Sequence, residues 1–174
     1  SLDSRFLVDV MVDGDTTITK HKHIDLNTQL DFSHLTQLLT IQPSELQFEK
    51  AVFKMDGTID FDDDMNLDLK FHANKPNFDL FHAFVPAELA PVLQRYDYQG
   101  KIFFDASISG KSINGHNPMI IVDFGCEDAY FIHKLSKKKL DDLYFKGHFT
   151  TGGLGNASAS EFSLTDFSAK LEAG

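Results

Sequence analysis

Residues Lys54 to Pro86 read KMDGTIDFDDDMNLDLKFHANKPNFDLFHAFVP and decide the fold class. After Gly57, apolar residues occupy every second position at Ile59 and Phe61. Three aspartates at 62–64 follow, and the alternation resumes from Met65 to Phe71. Apolar and polar residues that alternate on both sides of an acidic turn are typical of a β-hairpin. The stretch therefore predicts two paired strands with one apolar face and one polar face.

Two helical segments are predicted after this hairpin. Asn77 can cap a short helix that ends at Phe84, because Pro86 pushes the residue before it out of the helical region. Pro86 also suits the first turn of a second helix, from Ala87 to Tyr96. The sequence therefore predicts a short helical interruption around residues 77–96.

The remainder of the chain alternates in the same way as the hairpin and is predicted to be mainly β. Strands are expected at Ser4–Val12, Thr16–Phe32, Leu46–Phe48, Ile102–Ile108, Met119–Phe124, Tyr130–Leu135, Leu143–Thr150 and Phe162–Leu171. Ser33 to Ile41 suits a helix or a strand equally well, and Pro43-Ser44 predicts a turn. We expect one β-rich domain over residues 1–174, built as an elongated, curved antiparallel sheet that forms a groove or an open sandwich.

The amino-acid composition argues against some classes of binding partner. The net charge of −10 argues against nucleic acid, because binding to a phosphate backbone needs a surface rich in lysine and arginine. The basic cluster from Lys134 to Lys139 is interpreted as a solvated turn, with a docking patch as the minor alternative. The aromatic residues are mainly phenylalanine, 17 in number, which suits an apolar sheet face. Cys126, the single cysteine, is predicted to be a small core residue.

Motifs for catalysis or metal binding are incomplete. Gly110-Lys111-Ser112 resembles the end of a phosphate-binding loop, but Asp105 stands where that loop needs glycine. Asp60, Asp62 and Asp64 have the opening spacing of a calcium loop, which then lacks its glycine and its closing glutamate. His21, His23 and Asp25 would share one strand face, where solvent-exposed residues are the simpler interpretation. We therefore expect no enzyme, no cofactor and no metal site.

A glycine pattern recurs along the chain. Met55 to Ile59, Tyr98 to Ile102 and Phe145 to Phe149 each place a glycine just before an alternating strand. The three glycines are separated by 43 and 47 residues. Separations of this length indicate a repeated structural unit, although glycines that simply begin strands after turns would give part of the same pattern.

The segments with this pattern resemble the repeating unit of AsmA-like proteins, the AsmA and TamB group of the bacterial envelope. The similarity rests on FKMDGTIDF at 53–61, MNLDL at 65–69, FDL at 78–80 and VP at 85–86. It extends to YQGKI at 98–102, ISG at 108–110 and, more loosely, FSAKL at 167–171. The resemblance implies a periplasmic domain of a protein tethered to the inner membrane through a segment absent from this chain.

The resemblance also implies a function in outer-membrane assembly and lipid homeostasis, with lipid acyl chains held or passed along an apolar β-groove. Lipid or phospholipid, and other envelope proteins, are the implied partners. Eight residues of the alternating strands are predicted to line the groove: Ile59, Phe61, Leu67, Leu69, Phe71, Ile102, Phe104 and Ile108. The alternative is a closed β-sandwich that acts as a spacer or as a protein- or glycan-binding module.

Overall fold

The computed structural model describes residues 2–13, 16–49, 51–75, 90–113, 116–152 and 159–172. Within these ranges the protein is almost entirely β-structure, with one helical turn, α1, at Ala90–Leu93. The strands are β1 (Leu2–Asp13), β2 (Thr16–Thr28), β3 (Leu30–Ser33), β4 (Leu38–Phe48), β5 (Ala51–Asp60), β6 (Asn66–Lys75), β7 (Tyr96–Lys111), β8 (Met119–His133), β9 (Lys139–Thr150) and β10 (Glu161–Glu172).

All ten strands belong to one antiparallel sheet, in which each strand except β3 pairs with the strand next to it along the path given below. The order is β1-β2-β4-β5-β6-β7-β8-β9-β10, and β3 pairs with β4. β2 and β3 lie along the same edge of β4: Leu26 is opposite Leu46, and Leu30 is opposite Ile41. The single strand predicted from Thr16 to Phe32 is thus present as two consecutive pieces that break at Gln29. This meander leaves β1 and β10 as the two edges.

The register divides the sheet into an apolar face and a polar face. Residues directly opposite each other in paired strands share a face, and successive residues in one strand alternate between faces. The apolar face is the one on which β4 to β10 carry, in order, Leu46, Phe53, Leu69, Phe104, Phe124, Phe145 and Leu164. The polar face carries the residues between these positions.

Within the described residues the sheet is a single layer. All ten strands are members of one sheet, and large side chains on its apolar face, such as Phe124 and Leu164, remain at least partly exposed. A closed β-sandwich requires two sheets whose inner faces bury each other, whereas the described strands form one sheet. The confirmed architecture is the other prediction, a mainly β fold in one open antiparallel sheet.

Two small clusters on the apolar face contain most of the buried hydrophobic residues, and Thr28 and Ile41 are buried outside them. The first consists of Ala51, Phe53 and Ala73, with Phe104 among the side chains packed against it. The second consists of Cys126, Ala129 and Leu143, with Phe131, Leu140 and Phe145 packed against it. Four of the six buried residues in these clusters are alanine or cysteine, so burial is achieved by larger neighbours that cover small side chains.

Three aspartates interrupt the alternation on neighbouring strands. Asp128 in β8, Asp142 in β9 and Asp166 in β10 have φ angles of 51°, 48° and 55°, and the register shifts beside each of them. Aspartate tolerates the left-handed conformation better than most residues, and a β-bulge bends its strand and increases the local twist. A row of bulges across three strands therefore bends this part of the sheet.

Bulges also explain two predictions that were wrong. The strands predicted at Met119–Phe124 and Tyr130–Leu135 are one strand, β8, which passes through the Asp128 bulge. Pro43-Ser44 lies inside β4 instead of forming a turn, and the register shifts between Ile41 and Ser44. Proline has no N–H to donate to the ladder, and a bulge is a position where that loss is tolerated.

Three other segments were ambiguous or predicted to be helical. Ser33–Ile41, left open by periodicity, is a turn over 34–37 followed by β4. The helix predicted from Ala87 to Tyr96 is present in the described residues as α1, and Tyr96 already belongs to β7. The helix predicted from Asn77 to Phe84 lies outside the described residues.

The recurring glycines lie inside strands and not before them. Gly57 is in β5 and Gly147 is in β9. A Cβ on Gly57, where φ is 150°, would meet the backbone oxygen of Asp68 at 2.1 Å. A Cβ on Gly147 would meet the ring of Phe124 at 2.2 Å. Gly57 requires glycine because backbone atoms of β6 occupy the space of a side chain, whereas a side chain at position 147 would displace the Phe124 ring.

Candidate functional site

The register brings seven of the eight predicted groove residues onto the apolar face of three adjacent strands. Ile59 of β5 is opposite Leu67 of β6, and Leu69 is opposite Ile108 of β7. The remaining residues of the group, Phe71, Ile102 and Phe104, follow at alternate positions of β6 and β7. All seven are half-buried. They form one continuous apolar surface, which is the arrangement that contact with an acyl chain would need.

Phe61 does not belong to this surface in the way the sequence predicted. β5 ends at Asp60 and β6 begins at Asn66, so Phe61 and Met65 lie in the turn and not in the alternating strands. The Phe61 side chain is 45% exposed and meets the ring of Phe32 edge to face, with 6.2 Å between ring centroids. The turn is longer than the three aspartates because Asp64 and Met65 both have positive φ.

The acidic turn has a structural role that sequence motifs missed. Asp60 Oδ1 accepts hydrogen bonds from the backbone N–H groups of Asp62, at 3.0 Å, and Asp63, at 3.3 Å. Lys111 of β7 binds Asp63 at 2.5 Å and Asp64 at 3.3 Å. The hydrogen bonds that the Lys111 ammonium donates to Asp63 and then to Asp64 raise the pKa of Lys111. The aspartates therefore close the hairpin and attach it to β7.

The apolar face continues beyond the predicted residues to the far edge of the sheet. On β10 it carries Phe162, Leu164, Phe167 and Leu171, which are between 52% and 77% exposed. Exposed apolar side chains grouped on one surface indicate a site of interaction. The alternation of Phe162–Leu171 predicted a strand with one apolar face. It did not predict that this face is exposed.

A groove of about 520 Å³ lies at one end of this face, next to the turn between β8 and β9. Its apolar lining comes from four neighbouring strands: Tyr96, Phe131, Leu140 and Leu171. A groove lined by side chains of four neighbouring strands agrees with the bending that the row of bulges produces. Its polar lining is His133, Ser136 and Lys138. The sequence-based prediction did not include these residues.

Hydrogen bonds fix the geometry of the polar end of the groove. The backbone N–H of Ser136 donates to His133 Nδ1 at 3.1 Å, and the N–H of His133 donates to the carbonyl oxygen of Lys138 at 3.0 Å. An imidazole that accepts at Nδ1 carries its proton on Nε2 in the neutral form. His133 therefore presents an N–H donor on its other nitrogen.

The polar face carries a row of charged and polar side chains across four strands. His72 of β6 is opposite and hydrogen-bonded to Asp105 of β7. Asp123 of β8 is opposite Asp105, and its Oδ1 lies 2.7 Å from Nδ1 of His148 in β9. Each carboxylate of this opposed pair thus has a histidine partner. All four side chains are between 44% and 59% exposed, so the row is a solvated cross-strand network.

Cys126 lies on the apolar face and is 1% exposed, as predicted for a core residue. Its burial, followed by the nearby carboxylates of Glu127 and Asp128, raises the pKa of the thiol to about 11. The thiol is therefore protonated at neutral pH and is a weak nucleophile.

The histidine motif lies only partly within the described side chains. Among the residues whose side chains are described, no three histidine, cysteine, aspartate or glutamate groups are placed to hold one ion. His23 is exposed, and the Glu49 carboxylate accepts a hydrogen bond from its backbone N–H at 2.8 Å. The side chain of His21 is outside the described part of the structure.

Among the described residues, no helix has the length and hydropathy that crossing a bilayer requires. Comparison with known protein families, with curated proteins and with solved structures gives no match for this chain.

Proposed function

We propose that this chain is a non-enzymatic, AsmA-like periplasmic domain that holds or passes lipid acyl chains along its apolar face. In this proposal it belongs to a protein tethered to the inner membrane through a segment outside this chain, and it serves outer-membrane assembly and lipid homeostasis. Lipid or phospholipid is the ligand, and other envelope proteins are its partners.

One observation supports the proposal above the others: the apolar face extends from β4 to β10, and all the described strands belong to this one open sheet. The accessible surface is 11409 Å², whereas a compact monomer of this mass exposes about 8,600 Å². Each lipid methylene removed from water contributes about 0.8 kcal/mol, so an acyl chain needs only apolar side chains to bind here. The face has these side chains on every strand from β4 to β10.

Uptake of a fluorescent fatty acid by the purified protein tests the proposal. Leu69→Asp and Phe104→Asp place a charge on the apolar face and are expected to weaken uptake by about tenfold or more, because the buried charge is left without a partner. Ser107→Asp is the control, since it adds the same charge on the polar face of β7, opposite Lys70. Circular dichroism and urea titration monitor folding of every variant.

Two results would contradict the proposal. A wild-type protein that neither retains lipid in native mass spectrometry nor takes up the fluorescent fatty acid has no acyl-chain site. Unfolding caused by Leu69→Asp and Phe104→Asp, with no uptake by the wild type, would identify these residues as core and not as a ligand surface.

A further inference from the structure

We propose that the groove beside the β8–β9 turn receives the anionic headgroup of an amphiphile whose acyl chain lies on the apolar face. The inference rests on the proposed function and deepens it by naming the polarity of the ligand and its direction on the sheet. The headgroup chemistry is a carboxylate or phosphate, bound by Lys138 and by the Nε2–H of His133.

The first argument is the composition of the groove. Its walls are side chains of β7 to β10, and its nitrogen-bearing and hydroxyl groups at His133, Ser136 and Lys138 come from the end of β8 and the turn that follows. Tyr96 packs edge to face against His133, with 5.1 Å between ring centroids, and so helps to hold the imidazole at the boundary between the two parts. An amphiphile has the same division into an apolar chain and a polar end.

The second argument is charge. Lys134 lies 3.6 Å from Asp97, and Lys139 lies 2.5 Å from Asp141. Lys138, whose side chain lines the groove, forms no salt bridge with any carboxylate whose side chain the structure describes. An ammonium group at the end of an apolar groove favours an anion, because a charge-assisted hydrogen bond is stronger than a neutral one.

The third argument is direction. The antiparallel register places the β8–β9 turn and the β5–β6 turn at opposite ends of the strands. The β8–β9 turn contains Lys134, Lys137 and Lys138, whereas the β5–β6 turn contains Asp62, Asp63 and Asp64. The two ends of the apolar face therefore differ in charge, and an anionic headgroup is attracted to the lysine end and repelled from the aspartate end.

Displacement of the uncharged dye Nile red by laurate and by dodecyltrimethylammonium, two probes with the same chain and opposite charge, tests the site at low salt. Lys138→Gln is expected to weaken laurate binding about fivefold to tenfold, as for the loss of one charge-assisted hydrogen bond, and to leave dodecyltrimethylammonium unchanged. Lys137→Gln is the matched control. It removes the same charge from the same turn, but its side chain does not line the groove.

Equal weakening of laurate binding by Lys138→Gln and Lys137→Gln would overturn the headgroup site while leaving acyl-chain binding intact. Laurate affinity that neither variant changes would overturn it in the same way. If neither probe displaces Nile red from the wild type and neither binds directly, the proposed function itself fails, and the headgroup site with it.

A second measurement places the headgroup without any substitution. The four tyrosines, Tyr96, Tyr98, Tyr130 and Tyr144, all lie in β7 to β9 and in the halves of these strands nearer the β8–β9 turn. Stearate labelled with a nitroxide at carbon 5 is expected to quench tyrosine emission more than stearate labelled at carbon 16. Equal or reversed quenching would overturn the proposed direction, whereas quenching of either kind would leave acyl-chain binding supported.

Discussion

Phe53 in β5 and Phe167 in β10 lie on the same face of one sheet, yet they are 4% and 68% exposed. Phe53 has strands on both sides, and its ring meets Phe104 edge to face with 5.6 Å between centroids. Phe167 is on an edge strand, with β9 on one side only. The difference follows the position of each strand in the sheet, because an inner strand has neighbouring side chains on both sides and an edge strand on one side only.

The largest effect is expected where this lateral packing is densest. Phe53→Ala should destabilise the protein by about 3 kcal/mol, because a buried aromatic side chain is lost and the alanines beside it are uncovered. Urea denaturation followed by circular dichroism measures the change. A loss below about 1 kcal/mol would show that the inner strands are as loosely packed as the edge, and the contrast with Phe167 would disappear.

A smaller effect is expected from the Cys126 thiol when the pH is raised. The unfolded thiol titrates near its ordinary value of 9.0, whereas burial raises the folded pKa to about 11. The Cys126 thiol therefore stays protonated to a higher pH in the folded state than in the unfolded state. Its contribution to the free energy of unfolding is present below pH 9 and is lost as the pH rises towards 11. The expected loss across this window is about 2 kcal/mol.

Urea denaturation of the wild type and of Cys126→Ala at pH 8, 9, 10 and 11 isolates this contribution. Lysine and tyrosine side chains titrate in both proteins, so their effects cancel in the difference between the two profiles. Parallel profiles would show that Cys126 is accessible to water, and the second buried cluster would then be open like the edge.

The smallest effect is expected at the edge. Phe167→Ala should change the free energy of unfolding by less than about 0.5 kcal/mol, since its side chain is largely in water already. The same variant is expected to reduce self-association, which analytical ultracentrifugation measures, because an exposed apolar edge strand promotes pairing between chains. A loss comparable to that of Phe53→Ala would mean that β10 is covered.

The alternation of residues predicted much of the sheet correctly. Leu67, Leu69 and Phe71 were expected on one face, and the register places them there. Such patterns are local, because the side-chain period of two is a property of each strand alone. The sequence-based prediction missed the bulges. At one of them, Glu127 and Asp128 separate the apolar-face residues Cys126 and Ala129. An apolar spacing of three residues was the available signal for a bulge there.

The sequence by itself determined that the protein is an antiparallel β-structure with one apolar face, since alternation and turn residues act over a few positions. Only the tertiary structure decided that the described strands form one open sheet, that Phe61 belongs to a turn, and that Tyr96, Phe131, Leu140 and Leu171 share a groove with Lys138. The same alternation serves a closed sandwich and an open sheet equally well. Which of them forms depends on contacts between residues far apart in the chain, and no local pattern records those contacts.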